Sequence, residues 1–486
     1  MNKVKSIKIN AFLNGLRSVL NLIFPLITFP YVSRVLSVNG MGIYNFSNTY
    51  VSYFILIAGL GINTYAVREG AKFRRDEEKI RSFSNQLFSI NIISTVIAYL
   101  LLILTLILFH NLSNYVSCIL IFSLQILFTT IGTEWLYTIY EEYAYITIRS
   151  IIFKIFSIAL LFILVKTPND YLIYAGITVL AGVGSNILNY IHAKSFVSIK
   201  FTLKINWNYH LKPILIIFAA TVATTIYVYS DNTILGLLKG DYDVGIYSIA
   251  VKIYTIAQSL LTAILTVTIP RLAFLYGQKL MAEYKKLLRQ VTDMLVILAL
   301  PAATGLMMLS KEIVLLIASE KYLPSVTSLR IISWAIIFSI FSWLFSDCVL
   351  IPAKRESYIF KSTLITAILN IVLNLLLIPH GSYNAAALCT VISEFLVMIL
   401  NGYFCRDIVG PIIFSKSSMS NVCTSILGCI GIIIACRLIM QITNSFILVI
   451  ILSVIISGII YFAILIILRN AIVINYIKQY LTRMKK

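Results

Sequence analysis

Apolar runs of about twenty residues recur along the whole chain, separated by short polar breaks. A helix of that length crosses the roughly 30 Å hydrocarbon core of a bilayer at about 1.5 Å per residue. About fourteen spans are expected, near residues 10–35, 43–66, 83–109, 115–138, 146–165, 171–193, 213–237, 245–270, 291–317, 327–351, 359–379, 383–404, 420–440 and 446–468. An even number puts both termini on one side. Backbone groups in lipid must be satisfied within their own segment, so the fold class is an all-α polytopic membrane protein.

The first span carries polar residues along one line. Asn10, Asn14, Arg17, Asn21 and Thr28 recur at steps of four, three, four and seven. At 3.6 residues per turn they share one face. Amides and a guanidinium facing lipid would cost several kcal/mol unless paired or wet, so that face looks into protein or a water-filled cavity.

Composition agrees with a membrane chain. The 486 residues are 59% hydrophobic and 12% charged, about half the charge of a soluble protein, and the mean hydropathy is +0.93. The net charge of +20 is a matter of placement rather than a footprint for nucleic acid. Twenty-nine of the 39 Lys and Arg fall on the side of the termini, six on the other side and four inside spans. The positive-inside rule then makes both termini cytoplasmic. The basic start MNKVKSIKIN precedes a span too long for a signal peptide and lacking a cleavage site, so it is expected to stay as an anchor. Residues 471–486 read as a basic interfacial helix on an anionic leaflet. The seven Cys lie mostly in apolar segments without metal spacing and read as buried thiols.

The chain also repeats itself. Gly42-Ile43-Tyr44 recurs as Gly245-Ile246-Tyr247, and at the same offset of 203 Arg68 falls on Arg271. Glu134 and Asp347 close equivalent spans 213 apart, and Tyr145-Ile-Thr-Ile-Arg149 answers Tyr358-Ile-Phe-Lys361. Two pseudo-symmetric six-helix lobes follow, residues 1–205 and 206–410, with 411–486 adding two spans and a basic tail. Parallel repeats with a site at their interface are a transporter architecture.

No HExxH, P-loop, GxSxG or CxxC motif is present, so no metal, cofactor or nucleophilic catalysis is expected. The candidates are polar groups inside spans. Arg17, flanked by Asn14 and Asn21, is either a buried structural ion pair or a ligand for an anion. Span eight carries Ser248, Lys252, Thr255, Ser259, Thr262 and Thr266 on one stripe, and span seven carries Thr221, Thr224, Thr225 and Asp231. Asp231 and Lys252 either pair with each other, or Lys252 meets substrate while Asp231 titrates with a coupling ion. Asn48, Asn370 and Asn374 are cavity walls or interhelical glue. Glu394 and Arg437 are isolated intramembrane charges, and Glu394 is a second candidate for ion coupling. Glu134 with Arg149, and Asp347 with Lys361, are structural salt bridges or a gate.

Four stretches together resemble a known family: GMGIYNFSNTYVSYF, EWLYTIYEEYAYITIRSIIFKI, VGIYSIAVKIY and LSKEIVLLIASEKYLPSV. They are similar to the Wzx-type O-antigen or capsule repeat-unit flippases of the multidrug, oligosaccharidyl-lipid and polysaccharide exporter superfamily. The resemblance implies alternating access between two lobes in the bacterial cytoplasmic membrane. It implies a substrate of oligosaccharide on undecaprenyl pyrophosphate, moved from inner to outer leaflet beside a polysaccharide polymerase machinery. It also implies cationic cavity residues, a role that Arg17 and Lys252 fit by position, and drive by H+ or Na+. A cation-coupled multidrug exporter on the same fold is the alternative, although the acid that such cousins carry in the first helix is missing. A membrane glycosyltransferase, polymerase or ligase would need a longer outer loop than any present.

Overall fold

A computed structural model describes residues 23–195 and 197–474. Asn10, Asn14, Arg17 and Asn21 of the first polar stripe lie outside the described residues, as does the basic tail beyond residue 474. The described chain is almost wholly helical, with twelve helical stretches long and apolar enough to cross a membrane. A shorter apolar helix, α1 (Ile23–Val35), precedes them.

By contact the chain divides into two units. The first runs through Gly236 and resumes over Gly240–Gly245. The second takes Leu237–Lys239 and everything from Ile246 onward.

The first unit begins with α1, α2 (Val38–Gly59), α3 (Ile62–Gly70), α4 (Glu77–Leu108), α5 (Val116–Gly132) and α6 (Glu134–Ile139). It continues through α7 (Tyr143–Leu164), α8 (Tyr171–Val183), α9 (Asn186–Ala193) and most of α10 (Trp207–Lys239). Capping starts these helices where the sequence supplies oxygen acceptors: Ser37, Asp76 and Asn206 each accept a backbone N–H of the first turn. α2 packs on α4 and α5, α5 on α8 and α9, and α7 on α8. α10, the seventh expected span, lies along α2 and α3. His210 hydrogen-bonds Tyr65 at one end, Thr233 hydrogen-bonds Tyr53 further along, and Gly236 meets the Phe46 ring. The contact boundary therefore falls one span later than the boundary near residue 205 drawn from the repeat.

The second unit holds most of α11 (Asp241–Gly277), then α12 (Met281–Met308), α13 (Ser310–Ile317), α14 (Ser325–Ile332) and α15 (Ala335–Phe345). After a π-turn at Ser346–Leu350 come α16 (Glu356–Phe404), α17 (Arg406–Ile413), α18 (Lys416–Ile442) and α19 (Phe446–Ile467). α16 has 49 residues, about 74 Å of helix, more than twice the hydrocarbon thickness. It is broken at Ser382 (φ 46°, ψ −133°), just past Pro379 and Gly381. That break falls where the sequence separates spans 359–379 and 383–404. The last two spans pack on each other and against α12. Their seam buries Ile297, Cys436, Val449 and Leu465, and the Tyr461 hydroxyl donates to the Ile297 carbonyl at 2.9 Å. Six cysteines are buried as read from the sequence, but Cys423 is exposed, because it sits on the outward face of α18.

Candidate functional site

The repeated Gly-Ile-Tyr triplet has the same job twice. A Cβ on Gly42 would lie 1.8 Å from the Asp241 carbonyl oxygen, and one on Gly245 would lie 2.3 Å from the Val38 carbonyl oxygen. Each glycine thus faces the backbone of the residue four places before the other, and the first residues of α11 approach the start of α2 closely within the first unit. The tyrosines also match. The Tyr44 hydroxyl hydrogen-bonds Thr178 at 3.0 Å, and Tyr247 hydrogen-bonds Thr390 at 2.9 Å. One threonine is on the sixth expected span and the other on the twelfth, so the internal repeat survives as equivalent contacts in each half.

The expected acid–base pairs behave differently in the two units. In the first, Thr133 adopts a left-handed backbone (φ 41°) that ends α5 and starts α6 at Glu134. Arg149 is 6% exposed, with Nη2 3.4 Å from Glu134 Oε1 and Nη1 donating to the Ser185 carbonyl at 3.3 Å. Its guanidinium lies 5.9 Å from the Tyr145 ring centre, and His192 stacks on the same ring at 3.9 Å. The pair is therefore set into an aromatic stack, which limits water access to the arginine.

In the second unit no ion pair links Asp347 to Lys361. Asp347 accepts from Ser346 at 3.4 Å, and the Lys361 ammonium lies 5.5 Å from the Tyr358 ring centre. The expectation fails because the chain turns through Lys354 (φ 58°) and sets Arg355 at the start of α16. Arg355 grips Asp407 with two bonds of 2.8 Å and also donates to the Phe404 carbonyl at 3.2 Å. The hydrogen bonds from Arg355 hold the Asp407 carboxyl below the usual carboxylate range. Sequence spacing missed this pair, because 52 residues separate its members and no local period links them.

Asn370 and Asn374 stand in packed protein. Asn370 is 1% exposed and donates to Ser393 at 3.1 Å, while fully buried Asn374 donates to Asn370 at 2.9 Å. Asn370 thereby links the two halves of α16 across the break, and Asn374 braces Asn370 from one turn along the same half. Asn48 is half-buried on α2. Asp231 is buried on α10, and Glu394 is half-buried on α16, next to Ser393.

The stripe on α11 is different. Lys252, Ser259 and Thr262 are half-buried, and Thr255 and Thr266 are exposed. Thr255 donates to Val251, Ser259 to Thr255, Thr262 to Ser259 and Thr266 to Thr262, all backbone carbonyls of the same helix. On α10, Thr221 and Thr224 are likewise exposed and bonded to their own helix. α10 and α11 are also the two least buried of the twelve spans. Intrahelical bonds satisfy each hydroxyl proton and leave its oxygen free to accept a ligand or water.

A family model described as polysaccharide biosynthesis protein matches residues 7–276, more than half of the chain. The chain belongs to that family. A second model, MatE, matches residues 216–376. A protein of Shigella dysenteriae named as an O-antigen transporter is 25% identical over 385 residues, 78% of this chain and 95% of that protein. The capsular polysaccharide biosynthesis protein CapF of Staphylococcus aureus is 26% identical over 380 residues, 76% of this chain and 91% of the relative. Among solved structures, the lipid II flippase MurJ in an inward closed conformation superposes with a TM-score of 0.76 at 14% identity, over 96% of this chain and 99% of that one. This polysaccharide biosynthesis family member thus has a MurJ-like, multi-helix membrane fold. The likeness to Wzx-type exporters of the wider superfamily holds.

Proposed function

We propose that this transporter is a flippase for oligosaccharide repeat units carried on undecaprenyl pyrophosphate. It moves them from the inner to the outer leaflet of the bacterial cytoplasmic membrane, with both termini cytoplasmic, and supplies O-antigen or capsule-type polymer synthesis. The observation that carries this reading is the α11 stripe: one lysine followed along its face by the open hydroxyls of Thr255, Ser259, Thr262 and Thr266, on a poorly buried span. A diphosphate needs cationic donors, and sugars need groups that both give and take hydrogen bonds. Lys252 and Thr255 take these roles, together with Arg17, Asn14 and Asn21 of the first span. The two relatives, an O-antigen transporter and a capsular polysaccharide biosynthesis protein by name, support the substrate class, since each matches this chain over most of its own length.

Alternating access of the two six-helix halves moves the substrate, driven by H+ or Na+ exchanged at Asp231 or Glu394. Glu134 with Arg149 in one half, and Arg355 with Asp407 in the other, are the ion pairs that break and re-form during the cycle. The multidrug alternative rests on the MatE match over 216–376, but it calls for an acidic rather than a basic binding surface.

Deletion of the gene tests the reading. Surface polymer falls and lipid-linked repeat units accumulate on the cytoplasmic side, and both revert on complementation. Normal polymer in the deletion strain sinks the proposal, and restored dye efflux in a sensitised host would replace it with the drug exporter.

A further inference from the structure

The second unit contains a pocket that the transport reading does not use. It has a volume of about 480 Å³ and is lined by α12, α15, the second half of α16, α17 and the start of α18. That is within the range of small-ligand sites, roughly 300–1,000 Å³. Its walls are almost entirely apolar, with Val296, Phe341, Phe345, Met398, Val409 and Ile413 prominent. Two charged groups interrupt them. Arg406 is exposed and lies over the Tyr403 ring at 4.1 Å. Asp293 is only 3% exposed, and its Oδ1 has no hydrogen-bond partner. Arg289, one turn earlier on the same helix, is exposed and forms no ion pair with it among the described residues.

A buried carboxyl oxygen in an apolar wall without a donor costs about 1–3 kcal/mol, and more when charged. The arrangement makes sense if an occupant supplies the donor. The occupant must combine a long apolar body with a cationic N–H group to meet Asp293 and an anionic group to meet Arg406. A membrane supplies such a molecule. We propose that the pocket binds one acyl chain of a phospholipid with a primary-amine headgroup. Its ammonium donates to the Asp293 carboxylate and its phosphate accepts from Arg406. A polyprenyl diphosphate fits the apolar wall equally well, but it offers Asp293 only negative charge. A quaternary amine keeps the charge and loses the N–H bond.

The test is native mass spectrometry of the purified full chain in detergent. It is titrated with phosphatidylethanolamine, phosphatidylcholine, phosphatidylglycerol and undecaprenyl phosphate, the phospholipids having identical acyl chains. Gly410 lines the pocket and nothing lies within 4 Å of where its Cβ would point, so Gly410→Phe is the substitution that fills the cavity. The expected result is an occupancy for phosphatidylethanolamine about tenfold above the glycerol lipid, with the choline lipid between. Asp293→Asn removes the preference, Gly410→Phe removes the bound lipid, and Arg406→Gln weakens all three phospholipids alike. The two decisive substitutions lie on different walls, and each protein is checked for an unchanged melting temperature, so a folding failure in one leaves the other informative. Equal occupancy by amine and glycerol lipids overturns the proposal. So does a preference that survives Asp293→Asn, or a Gly410→Phe-sensitive site that favours undecaprenyl phosphate. None of these outcomes depends on whether the protein moves repeat units.

Discussion

Replacing Gly42 or Gly245 by alanine probes directly the crossing at which residues 241–245 closely approach residues 38–42. At Gly42 a methyl group would sit 1.8 Å from a backbone oxygen, where ordinary contact begins at 3.4 Å, so the helices must part by roughly 1.6 Å. The obstacle is backbone, which cannot rotate away as a side-chain end can. Overpacking of this kind costs about 1–3 kcal/mol, and alanine recovers about 1 kcal/mol of helix propensity. The difference is a net loss of up to about 2 kcal/mol at Gly42, and a similar loss is expected at Gly245, where the gap is 2.3 Å. The two changes strain one crossing, and a single separation relieves both. The double variant should therefore lose clearly less than the sum of the singles. Gly176 on α8 has nothing within 4 Å of its Cβ direction, so Gly176→Ala is the control and should hold or raise stability. Thermal unfolding in detergent, followed by tryptophan fluorescence, reads all four proteins. If Gly42→Ala melts at or above the wild type, or the double variant is additive, the crossing is not the tight contact described.

Further expectations follow from the same geometry. Tyr44→Phe and Tyr247→Phe should each cost about 1 kcal/mol, within about half of one another, because the repeat gives them equivalent threonine partners; a silent change at one site would break the equivalence. Arg149→Ala should destabilise by about 1–3 kcal/mol, more than Glu134→Gln, since the arginine is buried and the glutamate is partly exposed; equal melting temperatures would argue against that asymmetry. The Asp407 carboxyl is depressed by Arg355, so the stability it contributes is complete above the unfolded carboxylate range near pH 4 and is lost as pH falls through the lower folded value. With the Asp407 side chain 54% exposed the effect is small, about 0.2–1 kcal/mol. Arg355→Ala should show it near neutrality and lose it toward roughly pH 2, and a deficit constant across that range would exclude the carboxylate as its source. Arg17→Ala should abolish polymer export at normal protein levels and Arg17→Lys should retain part of it; export intact in both would remove Arg17 from the anion site.

Apolar run length made most of the fold legible in the sequence. Bilayer thickness sets the length of every crossing, and Pro379 with Gly381 marks the break that the backbone realises at Ser382. The Gly-Ile-Tyr repeat was legible too, since its glycine serves a backbone contact that no other residue allows. The polar residues were visible as polar, but their partners were not. A period places Asn370 and Asn374 on one face and cannot say whether water or Ser393 lies opposite. Arg355 and Asp407 meet across 52 residues, a distance that local spacing cannot bridge. Asp293 gave a usable sign, an acid alone in the apolar run VTDMLVILAL, but only the surrounding helices reveal the pocket in front of it.

The proposed function requires this chain alone to carry a lipid-linked oligosaccharide across a bilayer. The direct measurement is a reconstituted vesicle holding only the purified protein and a fluorescent undecaprenyl-pyrophosphate oligosaccharide, with the outer-leaflet fraction read by an impermeant quencher or lectin. Transfer well above that in protein-free vesicles is expected, reduced at least tenfold by Lys252→Ala and partly kept by Lys252→Arg. Transfer no faster than in empty vesicles under both an imposed proton and an imposed sodium gradient, with correctly folded protein, would contradict the proposed function.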